Sequence, residues 1–230
     1  MARAEDAIES PVVGARIIFR KTAGDTNGEL LQYEEFLKGG GRGQREHVHP
    51  YQEERFEIIS GTARIGVGGQ ERDYGAGETV VVPAGIRHAW GNPSEEQVHI
   101  IIEFRPALRL ETFLETHFGL AKDGKVNPKS GLPNPFQLAV VAREFEDEVY
   151  LARPSLFVQR LHYALFAPIG KLLGYEARYP EYTGPEEPLA GGKGGPPAAS
   201  GAMGWRIVAG ALFAVVPLLL LRRRVRLGGR

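Results

Sequence analysis

The stretch GQREHVHPYQEERFEIISG, Gly43 to Gly61, uses two of the chain's six histidines one residue apart. Side chains two positions apart on an extended strand share a face, so His47 and His49 can aim both imidazoles at one point. Glu54 lies an odd number of residues from each and reaches that point only where strand parity is broken. Pro50, which donates no ladder hydrogen bond, suits such a break. From Glu54 the alternation runs inward through Phe56 and Ile58 until Gly61 turns the chain. Two readings follow: a hairpin with a solvated histidine face, or half of a metal site.

Outward from this stretch, Val12 to Pro106 reads as short strands punctuated by turn signals around Asn27-Gly28, Gly39-Gly41, Gly68-Gly69 and Gly75-Gly77. That spacing predicts an antiparallel all-β body, a sandwich or barrel. GTARIGV alternates, with Ala63, Ile65 and Val67 on one face. ETVVVP and VHIIIEF are continuous apolar runs, which predict strands buried on both sides. Within this body GETVVVPAGIRHAWGN supplies His88 after a Pro83-Ala84-Gly85 turn, with Trp90 and Asn92 on the same face.

The spacing Gly41-x5-His47-x-His49-x4-Glu54-x6-Gly61 resembles the first motif of the cupin family. Gly77-x5-Pro83-x-Gly85-x2-His88-x3-Asn92 resembles its second. Both are filled at every defining position, and the resemblance covers a little under a third of the chain, from about Gly40 to Pro106. It implies a small all-β jelly-roll barrel, a divalent metal near its centre held by His47, His49, Glu54 and His88, and pairing of two copies into a homodimer. The residue chemistry agrees. With no cysteine in the chain, any metal falls to His, Asp or Glu. Three imidazoles and one carboxylate suit Fe, Mn, Ni, Cu or Zn, and an octahedral ion keeps two positions for water, oxygen or a chelating substrate. Tyr51, Phe56, Trp90 and Phe104 are the candidate lining of a substrate pocket, against the commoner role of aromatics as core. Glu53 is either a base beside the site or a solvated rim carboxylate. His99, His117 and His162 have no partner that spacing identifies.

The remainder divides by composition. A β-barrel over 12–110 is followed by a helical extension over 111–179. There NPFQLAVVAREFEDEVYLA carries Leu138, Val141, Phe145 and Val149 at helical spacing, and PSLFVQRLHYALFAPIGKLLG carries Leu161, Leu165, Ile169 and Leu172. Two α-helices are predicted, packed on the barrel or on a second copy of it, with Pro168 kinking or ending the second and Gly174 capping it. Residues 180–204 are a linker rich in Gly, Pro and Ala. Residues 205–221 include an uninterrupted apolar run from Ile207 to Leu221 between Trp205 and a basic tail over 222–230. This predicts a C-terminal transmembrane helix, somewhat short of the roughly 20 residues a full span prefers.

The formal charge is zero, 28 basic against 28 acidic residues, and Arg222, Arg223, Arg224, Arg226 and Arg230 crowd the last nine positions, so the rest of the chain stands at −5. An acidic body offers no footprint for nucleic acid. Arg16 interrupts the best apolar run near the amino terminus, so no secretory signal is legible, and the barrel is expected on the cytoplasmic face of a membrane. Two functions fit: a metal-dependent enzyme, dioxygenase-like or isomerase-like, acting on a small oxygen-rich molecule through metal-bound substrate oxygens, or a non-catalytic module that binds and senses a small ligand.

Overall fold

A computed structural model describes residues 2–41 and 43–184. Eleven strands form two antiparallel sheets among these residues. The first has the order β1 (Ala7–Ser10), β2 (Ala15–Lys21), β3 (Leu31–Leu37), β10 (Val98–Arg105), β5 (Glu53–Ser60), β8 (Thr79–Val82). The second has the order β11 (Tyr150–Leu151), β4 (His47–Val48), β9 (His88–Gly91), β6 (Thr62–Val67), β7 (Gln70–Gly75). The expected closed barrel is corrected to a two-sheet sandwich. Each sheet ends in its own edge strands, so no ladder of hydrogen bonds runs round the body.

Strand alternation builds the core. β3 turns Leu31, Tyr33, Glu35 and Leu37 inward, β10 turns Val98, Ile100, Ile102 and Phe104, and β5 adds Phe56 and Ile58. The two continuous apolar runs are not buried on both faces. β10 alternates buried with half-buried residues, and β8, an edge strand, leaves Val81 exposed. An outward Val or Ile is ordinary on a one-sided antiparallel sheet, because strand propensity favours β-branched residues whichever way they point. Gly61 has φ 81°, and a Cβ there would lie 2.7 Å from the Gln97 carbonyl oxygen, so the turn after β5 requires glycine.

Beyond the sheets lie three helices of more than one turn and one short one: α1 (Leu110–Lys122), α2 (Pro135–Glu144), α3 (Leu156–Leu172) and α4 (Pro180–Thr183). The predicted pair is α2 and α3, and α1 is additional. Its Leu110, Leu114, Phe118 and Ala121 are buried at helical spacing, but Arg109 at its N-cap provides no side-chain cap, so no start signal marks it. α2 begins as predicted: Asn134 Oδ1 accepts from the amides of Phe136 and Gln137, both at 3.1 Å, with Pro135 in the first turn. It stops at Glu144 rather than continuing to Val149, because Tyr150 and Leu151 leave to pair with Val48 and His47.

α3 reverses its expected orientation. The apolar stripe Leu161, Leu165, Ile169 and Leu172 faces outward, while Gln159, Tyr163, Ala167 and Gly170 are buried. Close approach explains the choice. A Cβ on Gly170 would sit 2.7 Å from a Val140 methyl and 2.9 Å from the Phe136 carbonyl oxygen, so small residues let α3 lie directly on α2. Pro168 lies inside α3, which runs on to Leu172, and Gly174 follows its end with φ 84°. No helix among the described residues is long and apolar enough to cross a membrane. The linker beyond residue 184 and the apolar run of 205–221 lie outside the described residues.

Candidate metal centre

His47, His49, Glu54 and His88 meet between the two sheets, and all four are buried. β4 carries His47 directly opposite His88 on β9, and His49 follows β4 on the same face. Glu54 comes from the other sheet, on β5 between Phe104 of β10 and Val82 of β8. One donor atom from each residue lies within 4.8 Å of all the others. The Gly85 amide, at φ 80°, donates to the His49 carbonyl oxygen at 2.8 Å and ties the loop before His88 to the loop after β4.

The proton inventory decides what this arrangement can do. His47 Nδ1 lies 2.6 Å from the Arg45 carbonyl oxygen, His49 Nδ1 2.6 Å from that of Glu148, and His88 Nδ1 2.9 Å from that of Ile86. A carbonyl only accepts, so each Nδ1 carries a proton, and a ring in its neutral form points an Nε2 lone pair inward. His47 Nε2 and His49 Nε2 lie 3.0 Å apart, and His49 Nε2 lies 3.7 Å from Glu54 Oε2. His88 Nε2 and Glu54 Oε2 approach to 2.5 Å without hydrogen-bond alignment, and neither Glu54 oxygen has a hydrogen-bond partner. Burial, reinforced by the neighbouring imidazoles, pushes His47 well below the usual histidine range and also depresses His49. Burial would likewise lower His88, but the adjacent Glu54 carboxylate outweighs it and holds that ring above its ordinary value. Lone pairs and a carboxylate thus converge in a buried cluster with fewer protons than acceptors. Such a site is satisfied by a cation. The cluster is able to hold one divalent transition metal ion, and its N3O donor set does not single out which.

A model of the cupin domain matches residues 33–103, which span β3 to β10 and all four cluster residues. This stretch of the chain is a cupin domain. A mannose-1-phosphate guanylyltransferase of Salmonella montevideo is 30% identical over 74 residues, 32% of this chain and 16% of the relative. An oxidoreductase of Arthrobotrys oligospora is 25% identical over 162 residues, 64% of this chain and 62% of that protein. The chain therefore spans about a sixth of the first of these curated relatives and under two thirds of the second. Among solved structures, an RmlC-like cupin from Shewanella frigidimarina is 22% identical with a TM-score of 0.39, covering 46% of this chain and 90% of its own.

Around the cupin cluster the aromatic candidates separate. Phe104 packs edge-on against His49, with ring centroids 5.0 Å apart, and lines a cavity of about 540 Å³ together with His47 and His49. Phe56 and Trp90 are core residues, edge-to-face with one another, and Tyr51 lies on the surface; none of these three lines that cavity. Glu53 is exposed. His99 is remote from the cluster, beside Glu34 at 3.2 Å, whereas His117 and His162 line the cavity.

Sequence reasoning missed two features. Glu35 and Tyr33 face the cavity from β3, a placement the alternation of LQYEEFL signals by putting a glutamate in phase with Leu31 and Leu37. The turn after α2 reaches back to the centre: Glu148 supplies the carbonyl that orients His49, and Arg109 clamps this turn through Glu148 Oε1 at 3.1 Å, Glu144 Oε1 at 2.8 Å and the Glu144 carbonyl at 2.8 Å. A main-chain acceptor leaves no mark on a sequence.

Proposed function

We propose that this protein is a metal-dependent cupin enzyme that binds a small molecule through adjacent oxygen atoms and either adds both atoms of dioxygen to it or isomerises it. The observation that carries the reading is the set of three Nδ1 protons given to main-chain carbonyls, which leaves three Nε2 lone pairs and the Glu54 carboxylate facing one another. His47, His49, Glu54 and His88 would hold the ion. When bound, the ion polarises substrate oxygens as a Lewis acid and, if redox-active, supports chemistry with dioxygen. The chain itself orients the imidazoles through main-chain carbonyls, packs Phe104 against His49, and presents the Glu35 carboxyl to the same cavity. The alternative is a non-catalytic module that captures a small ligand at the same place.

The reading extends to the whole chain: the apolar run of Ile207–Leu221, bracketed by Trp205 and Arg222, tethers the domain to the cytoplasmic face of a membrane as a single-pass anchor, and two copies pair. Support for contact with lipid comes from α3. Its outward face exposes Phe157, Leu161, Leu165, Ile169 and Leu172, and no acidic residue occurs between Ser155 and Tyr175, which suits an anionic bilayer surface.

Protein purified without added metal should contain about one transition metal ion per chain, and the His47→Ala, His88→Ala double variant close to none. Equal metal content in the two would sink the assignment. With metal present, oxygen uptake and product analysis on a panel of enediols, polyphenols and keto acids separates enzyme from binding module.

A further inference from the structure

The cavity beside the cluster is far larger than an ion needs, and one side of it is an apolar wall. Its volume of about 540 Å³ falls in the range of roughly 300–1,000 Å³ that accommodates drug-sized molecules. His47, His49 and Phe104 contribute to it from the strands, and Leu114, Phe118 and Leu138 from α1 and α2. A polyol placed against these side chains would leave hydroxyls unbonded. Several polar groups in the lining are already engaged: Arg45 donates to the Ser130 carbonyl, Gln159 to those of Leu151 and Pro154, and the Tyr163 hydroxyl to Gln159. One buried oxygen is not: a carboxyl oxygen of Glu35, whose buried side chain lines the cavity, has no hydrogen-bond partner, whereas the Tyr33 hydroxyl beside it has the Gln44 side chain. Such a group calls for a partner that the protein does not provide. Burial, aided by the charge of Glu54, pushes the Glu35 carboxyl up to about 8, so near neutral pH it keeps a proton to donate. The cavity meets solvent where the exposed residues Lys129 and Val158 line it.

We propose that this cavity binds a small molecule with an apolar body and an acidic oxygen head, the head lying between the histidine cluster and Glu35 and the body against α1 and α2. The role of the head rests on the metal-site reading above; the class of the body rests on the cavity alone. Glu35 donates a hydrogen bond to the head, so its carboxyl favours an anionic oxygen rather than repelling it.

The test titrates full-length protein calorimetrically with 2-naphthoate and with gluconate, both metal-loaded and after chelator treatment, with metal content measured in each sample. Naphthoate should bind at least about tenfold more tightly than gluconate in both forms, with a negative heat-capacity change. Leu138→Glu, at a half-buried wall position, should weaken naphthoate about tenfold with metal content at the wild-type level. Glu35→Leu should weaken it by a similar factor, while Glu35→Gln, which keeps a donor, should stay within about threefold. Undetectable naphthoate binding, an equal or reversed preference, or tighter binding by Glu35→Leu would overturn the proposal. A chain that holds no metal yet prefers naphthoate would sink the metal reading alone and support the cavity assignment.

Discussion

Glu35 is a residue whose chemistry departs far from what its type suggests. It stands on an inward position of β3 with one oxygen unpaired, and burial moves its carboxyl to about 8. The sign of the stability effect follows from proton counts. Between the ordinary glutamate value and 8 the native state holds a proton that the unfolded chain has released, so stability from this group is complete below the ordinary value and declines as pH rises to 8. The slope approaches at most ~1.4 kcal/mol per pH unit inside that window. Glu35→Gln removes the titration, so metal-free variant should gain on metal-free wild type as denaturation midpoints are followed from pH 5 to 8. Parallel midpoints for the two across that range would show that the carboxyl is ionised and solvated in the native state.

At the scale of elements, the helical extension takes part in building the centre. β11 adds an edge strand to β4, setting Leu151 opposite His47, and the Glu148 carbonyl fixes the ring of His49. Arg109, at the start of α1, holds the turn that carries both. Arg109→Ala leaves the Glu148 carboxylate buried without its cation, and because the guanidinium is partly exposed the expected loss is about 1–3 kcal/mol of stability. If the turn positions His49, metal affinity falls as well, by about tenfold in a chelator competition. A variant that unfolds more easily in urea yet binds metal as tightly as wild type would show that the extension only packs. Glu148→Gln, which keeps one of the two oxygens that accept from Arg109 and leaves the main-chain carbonyl beside His49 unchanged, should do less damage on both counts.

For the whole molecule, the described residues form the sandwich and its helices, and the apolar run lies in the segment beyond them. A chain ending at Ala199 should remain in the supernatant after ultracentrifugation and still hold metal. Full-length protein should sediment with membranes and resist a high-salt wash. Release by salt alone would indicate electrostatic attachment through the arginine tail and refute insertion.

What the sequence determined alone is whatever depends on the direction of neighbouring side chains. Strand parity aims His47 and His49 at one point, and Asn134-Pro135 marks a helix start, because each of these is set within a few residues of backbone; that Glu54 and His88 join the two histidines was implied by the resemblance to the cupin motifs. Tertiary structure decided everything that depends on which surface wins a neighbour. The apolar stripe of α3 is as periodic as a core face, yet Ala167 and Gly170 are buried instead because only small residues let two helix backbones come close. Phe56 and Trp90 match a pocket lining as well as Phe104 does, and packing sends them into the core. The Glu148 carbonyl reaches His49 across 99 residues of chain, and a main-chain oxygen is the same atom whatever side chain it accompanies, so no residue type could have announced it.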